Sequence, residues 1–150
     1  MNRNRLRLSL QPDDDGTGEL CAEVSANGFS GKGSAYFDLR HLAELSENFM
    51  AYPLCTERLP IIVGGYWSKN KNELEQTHLL IKAYPIGCTG ELGVRIELAT
   101  PLYESDRPES QLVVKVEIKT DYNGLESFGK QLSQLAKLRR EEAILMDNQV

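Results

Sequence analysis

Apolar residues recur at every second position in four separate stretches of this chain, and that period constrains the fold more than any other feature. Leu92, Val94, Ile96 and Leu98 alternate with Gly93, Arg95 and Glu97, and Leu112, Val114, Val116 and Ile118 oppose Lys115, Glu117 and Lys119. Arg5–Leu10 and Leu20–Ala26 show the same pattern. Successive strand side chains point to opposite faces, so such strands bury one face and wet the other. Sheets of that kind are antiparallel, because parallel sheets are covered on both faces and read as continuous apolar runs. A nucleotide-binding crossover fold is therefore not expected.

The connections agree. Gln11-Pro12-Asp13-Asp14-Asp15-Gly16-Thr17-Gly18 combines proline, aspartate and glycine and reads as a hairpin between the first two strands. Phe29–Phe37 is a third extended segment, leading to Asp38 as an N-cap. From Leu39 the spacing becomes helical: Leu39, Leu42, Leu45 and Phe49 form one stripe, and the helix must stop before Pro53. Pro60–Trp67 reads as a strand with a glycine bulge, Ser68–Glu73 as an exposed loop, and Thr77–Tyr84, Glu91–Ala99 and Leu112–Thr120 as strands. Leu125, Phe128, Leu132, Leu135 and Leu138 then define a second amphipathic helix, capped by Asp121 or Asn123. Ala143–Met146 adds a turn or belongs to a tail.

The expected order is β-β-β-α-β-β-β-β-α. It predicts an α+β chain of one two-layer domain over residues 1–150, with a twisted antiparallel sheet of about six or seven strands. Both helices are expected on one face of that sheet, and residues 139–150 as a mobile C-terminal tail.

Charge and cysteine usage narrow the function classes. Seventeen basic against 22 acidic residues give a net charge of −5, which argues against nucleic acid or anionic lipid as partner and suits a basic protein. The N-terminus is basic but alternates, so no secretion signal is readable, and no apolar run approaches the roughly 20 residues of a membrane helix. Three cysteines, Cys21, Cys55 and Cys88, without a CxxC pair fit reduced thiols in a cytoplasm.

No grouping carries a catalytic or metal signature, so no catalytic residue, metal or cofactor is expected. The adjacent Asp13, Asp14 and Asp15 lack the alternate spacing of a calcium loop and read as a solvated turn. In Gly28-Phe29-Ser30-Gly31-Lys32-Gly33 the lysine is followed by Gly33, not Ser or Thr, and an extended segment, not a helix, comes next, so it does not read as a phosphate loop. His41, three residues before Glu44, reads as half of a surface pair. His78 with Cys55 or Cys88 is the one nucleophilic arrangement left open.

The most suggestive patch is Gly64-Gly65-Tyr66-Trp67-Ser68-Lys69-Asn70-Lys71, which holds the only tryptophan beside a tyrosine and two lysines. Aromatics with a polar handle are favoured binding anchors, so Tyr66, Trp67, Lys69 and Lys71 are the candidate partner-binding residues. The competing reading has Tyr66 or Trp67 sealing the core.

Residues 28–39, the short helix after them, the meandering strands, and the closing helix that opens Tyr122-Asn123-Gly124-Leu125-Glu126-Ser127-Phe128 resemble the cell-wall-associated-toxin (Wap-type) immunity proteins. In that family a phenylalanine–glycine strand end leads to a first helix, and a late strand runs into a last helix of the kind seen here from Leu125 to Leu138. The resemblance spans roughly residues 5–138. It implies an intracellular partner that neutralises a toxin domain, without cofactor or chemistry. The chain departs from the pattern at Tyr66-Trp67-Ser68-Lys69 and from Arg139 to Val150. Two other functions compete: a structural or self-associating module, forming a homodimer through an exposed strand and the aromatic patch, and a small-molecule-binding protein or enzyme. The latter would use Tyr66, Trp67, His78 and a cysteine around a sheet–helix pocket.

Overall fold

The first three strands, β1 (Arg5–Pro12), β2 (Thr17–Ala26) and β3 (Phe29–Asp38), form a meander whose inward faces are set by the alternation of the sequence. The structure is a computed structural model, and it describes residues 3–70 and 72–148. Leu6 and Leu8 of β1 lie opposite Val24 and Ala22 of β2, and all four are buried. Asp38 then caps helix α1 (Leu39–Glu47), its carboxylate accepting the His41 amide at 3.0 Å. A single 3-10 turn (Asn48–Met50) ends that helix and buries Phe49.

Strands β4 (Ile61–Trp67), β5 (Leu74–Ile86), β6 (Glu91–Ala99) and β7 (Val113–Thr120) form a second antiparallel meander. Helix α2 (Tyr122–Ala136) follows, capped by Asp121, which accepts the Gly124 amide at 2.8 Å. The chain closes with β8 (Glu142–Met146).

The α+β, antiparallel character is as expected, but the strand count and sheet organisation are not. Eight strands divide into two four-stranded sheets, ordered β3-β2-β1-β8 and β4-β5-β6-β7, rather than forming one sheet of six or seven. Alternation reports which face of a strand is buried and carries no information on which strand lies beside it. The charged outward positions of the alternating strands accordingly fall on two sheets. Arg7 pairs with Glu23 at 2.9 Å on the first sheet, while Arg95 meets Glu97 at 3.1 Å on the second.

The residues expected as a tail also contain structure. Glu142–Met146 pairs antiparallel with β1, setting Leu145 opposite Leu6 and Ala143 opposite Leu8. Both β8 side chains are buried. Five residues gave too short an alternation to be read as a strand, and a partner at the far end of the sequence supplies the missing stability.

Strand β3 joins the sheets, lying over all four strands of the second one. Its inward positions are small where the approach is closest. A Cβ on Gly31 would meet the Val114 side chain at 2.6 Å, and one on Gly33 would stand 2.9 Å from the His78 carbonyl oxygen. Ala35 and Phe37 press on Gly64 of β4. At the opposite edge α2 packs on β8 and β1, and α1 packs on α2 while reaching β3 and β4. One continuous apolar core results, with Phe49 and Phe128 in edge-to-face contact at 5.8 Å.

Candidate functional site

Tyr66 and Trp67 end β4, the outermost strand of its sheet. The pairing with β5 slips between Gly64 and Gly65 and again between Tyr66 and Trp67. The first slip is the bulge expected from the glycine pair, and Gly65 leaves no room for a Cβ against the Gln76 carbonyl. It also leaves His78 of β5 without an opposite residue. The two slips place both aromatics at the surface, Tyr66 at 39% and Trp67 at 47% exposure. Neither seals the core, which the leucines, isoleucines and valines of both sheets fill instead.

The two side chains take different neighbours. Tyr66 stands edge-on to the His78 ring at 4.6 Å, with Tyr103 at 6.3 Å. His78 is held by Gln76, whose Oε1 lies 2.9 Å from Nε2. The Leu102 backbone fixes that amide: its N–H donates to Gln76 Oε1 at 3.0 Å and its carbonyl accepts from Nε2 at 2.7 Å. An oxygen therefore faces the imidazole, and His78 carries its proton on Nε2. Burial disfavours the charged ring and lowers the His78 pKa below the ordinary histidine range. This hydrogen-bond chain ties β5 to the loop before β7.

Trp67 lies instead along a cleft of about 310 Å³ between β4 and the corner where β3 turns into α1. Its walls are Tyr36, Phe37, Asp38, His41, Leu45, Ile61, Val63 and Trp67. Tyr36 is 64% exposed, because its neighbours Ala35 and Phe37 take the inward positions of β3. The aspartate hairpin is tied to the same β3–α1 corner: the Leu39 amide donates to the Gly16 carbonyl at 3.0 Å, and Thr17 pairs with Asp38. Asp15 Oδ1 accepts from the Thr17 hydroxyl at 2.6 Å and from its amide at 3.1 Å, which lowers the Asp15 pKa and holds the turn as expected.

Among the candidate residues, the structure thus joins Tyr66 to His78 and places Trp67 in a separate cleft. Lys69 is exposed in the β4–β5 turn, which the Ser68 amide closes on the Glu73 carbonyl at 2.8 Å. Lys71 lies outside the described residues. Cys21 is on the outer face of the first sheet, Cys55 in the loop before β4 and Cys88 in the β5–β6 turn. His41 sits 3.9 Å from Glu44 on the surface of α1, the pair expected.

Tyr36, Leu45, Ile61 and Val63 are site residues that the sequence alone did not single out. For Tyr36 the signal was present, since a residue between two inward positions of a strand must point outward. For the others it was not, because their meeting depends on how the two sheets cross. Among the described residues, no group of three or more His, Cys, Asp or Glu could hold a metal ion, and no helix is long and apolar enough to cross a membrane. Comparison with family models, with curated proteins and with solved structures finds no match to this chain.

Proposed function

We propose that this chain is a non-catalytic protein-binding domain that acts in the cytoplasm as an immunity-type partner, occluding a toxin domain. One observation carries the reading: the only tryptophan is placed on the surface beside an apolar cleft and an exposed tyrosine, not in the core. Leaving a tryptophan half exposed forgoes burial that stabilises a domain by about 1.5–3 kcal/mol for a large apolar side chain. Large aromatics in that position are the residues that dominate binding energy at interfaces. Tyr66 and Lys69, on the same β4–β5 hairpin, extend the contact surface. The acidic net charge of −5 suits a basic partner such as a nuclease toxin.

The test is capture of partners by the tagged chain from its source organism's lysate, together with protection of cells expressing the captured toxin domain. A stoichiometric partner, lost with Tyr66→Ala/Trp67→Ala and neutralised by the native chain, is the expected result. A chain that captures nothing and protects against nothing contradicts the proposal.

A second reading, self-association, is favoured by a different edge. β7 is the other outermost strand of the second sheet, and Leu112 just before it and Val113 at its start are 72% and 52% exposed. Concentration-dependent size in sedimentation, abolished by Val113→Lys, is its signature.

A further inference from the structure

We infer that the cleft between β4 and the β3–α1 corner binds a basic segment of the partner protein, seating a lysine or arginine side chain against Tyr36 and Trp67. The inference rests on the protein-binding reading above and adds the place and the chemistry of the contact. Three observations converge on it.

The first is the wall chemistry. Two exposed aromatic rings border a cleft whose other apolar walls are Phe37, Leu45, Ile61 and Val63, with Asp38 and His41 as its polar ones. Such a surface accepts the aliphatic stem of a long cationic side chain, while ring faces attract its charged head. A purely apolar occupant would leave Asp38, which also lines the cleft, desolvated without a counter-charge.

The second is charge. The bond from the Leu39 amide to the Gly16 carbonyl brings the hairpin tip against the start of α1, so Asp13, Asp14 and Asp15 stand at the same end as Asp38. All four are exposed, and among the described residues none is in an ion pair. Arg40 on the first turn of α1 offsets one of these charges. Lys69, exposed two residues beyond Trp67, offsets a second, and the positive end of the helix dipole, roughly half a unit charge, offsets part of a third, so this corner stays negative.

The third is that Asp38 is only partly used. One carboxylate oxygen, Oδ1, accepts the capping bond from the His41 amide, and among the described residues Oδ2 has no hydrogen-bond partner. Capping and cation binding are therefore compatible on one side chain.

The experiment titrates the full chain with a short peptide of alternating valine and lysine and with its valine–glutamate counterpart. Binding is read from Trp67 emission and from backbone amide shifts. The lysine peptide is expected to saturate the Trp67 signal, with shifted amides confined to residues 36–45 and 61–67. Asp38→Asn keeps a side chain able to cap α1, so the fold stays intact while the affinity falls about tenfold. Tyr36→Ser weakens binding as well. Equal binding of the glutamate peptide, shifts on another surface, an affinity unchanged by Asp38→Asn, or no binding at all overturns the inference. If a protein captured by the native chain is then still captured by Trp67→Ala, the protein-binding reading survives without this cleft. If nothing is captured, both fall.

Discussion

Gly33 of β3 lies so close to His78 of β5 that a Cβ on the glycine would stand 2.9 Å from the His78 carbonyl oxygen and 3.0 Å from the Leu98 Cβ. The two sheets meet at this point. Backbone and core side chains form the contact, so neither partner can move aside as a flexible surface side chain would.

Gly33→Val is accordingly expected to destabilise the chain by about 1–3 kcal/mol, even though valine favours strands. Urea unfolding checks it, with the exposed neighbour Lys32→Val as control, expected within about 0.5 kcal/mol of the native chain. An unchanged midpoint for Gly33→Val would place the sheet crossing elsewhere.

The end of the chain is predicted to be structural. Leu145 is 1% exposed and sits opposite Leu6 on β1. Leu145→Ala is expected to cost about 2–5 kcal/mol, and Met146→Ala, at an exposed position, far less. Similar small losses for both, measured by denaturant unfolding, would make β8 dispensable.

Asp38 has a capping role separable from its charge. Asp38→Ala is expected to lower stability by about 1 kcal/mol, while Asp38→Asn costs a few tenths at most. Thermal unfolding of the two variants distinguishes them, and equal losses would mean that the carboxylate, not the cap, stabilises this corner.

His78 makes stability depend on pH. Its folded-state pKa is depressed by burial, so the unfolded chain binds the proton more readily. Its contribution is therefore fully present above the ordinary histidine value of about 6.5 and is lost as the pH falls through the lower folded value. Between neutral and mildly acidic pH, the native chain should lose more stability than His78→Gln. Parallel pH profiles of the urea midpoint would contradict this.

Local elements were legible in the sequence because their signals are local. Asp38 and Asp121 cap the helices that their positions suggested, and the Gly64-Gly65 pair marks a bulge. The sheets were not, because the alternation of Leu92–Leu98 is identical whether the neighbour is β5 or β1. The decisive clue was the run of small inward residues Gly31, Gly33 and Ala35, whose meaning depends on what crosses over them. The candidate site shows the same division. Trp67 is legible as the only tryptophan, next to Tyr66 on a glycine-marked strand end, whereas Tyr36 comes to lie across the cleft from it only through the tertiary fold.

Hydrogen–deuterium exchange on the chain alone and in complex with its captured protein partner tests the central claim most directly. The account predicts new protection concentrated on residues 36–45 and 61–67, around Trp67, with the outer face of the first sheet unchanged. Protection confined to β7 or to the first sheet, or none at all, would contradict it.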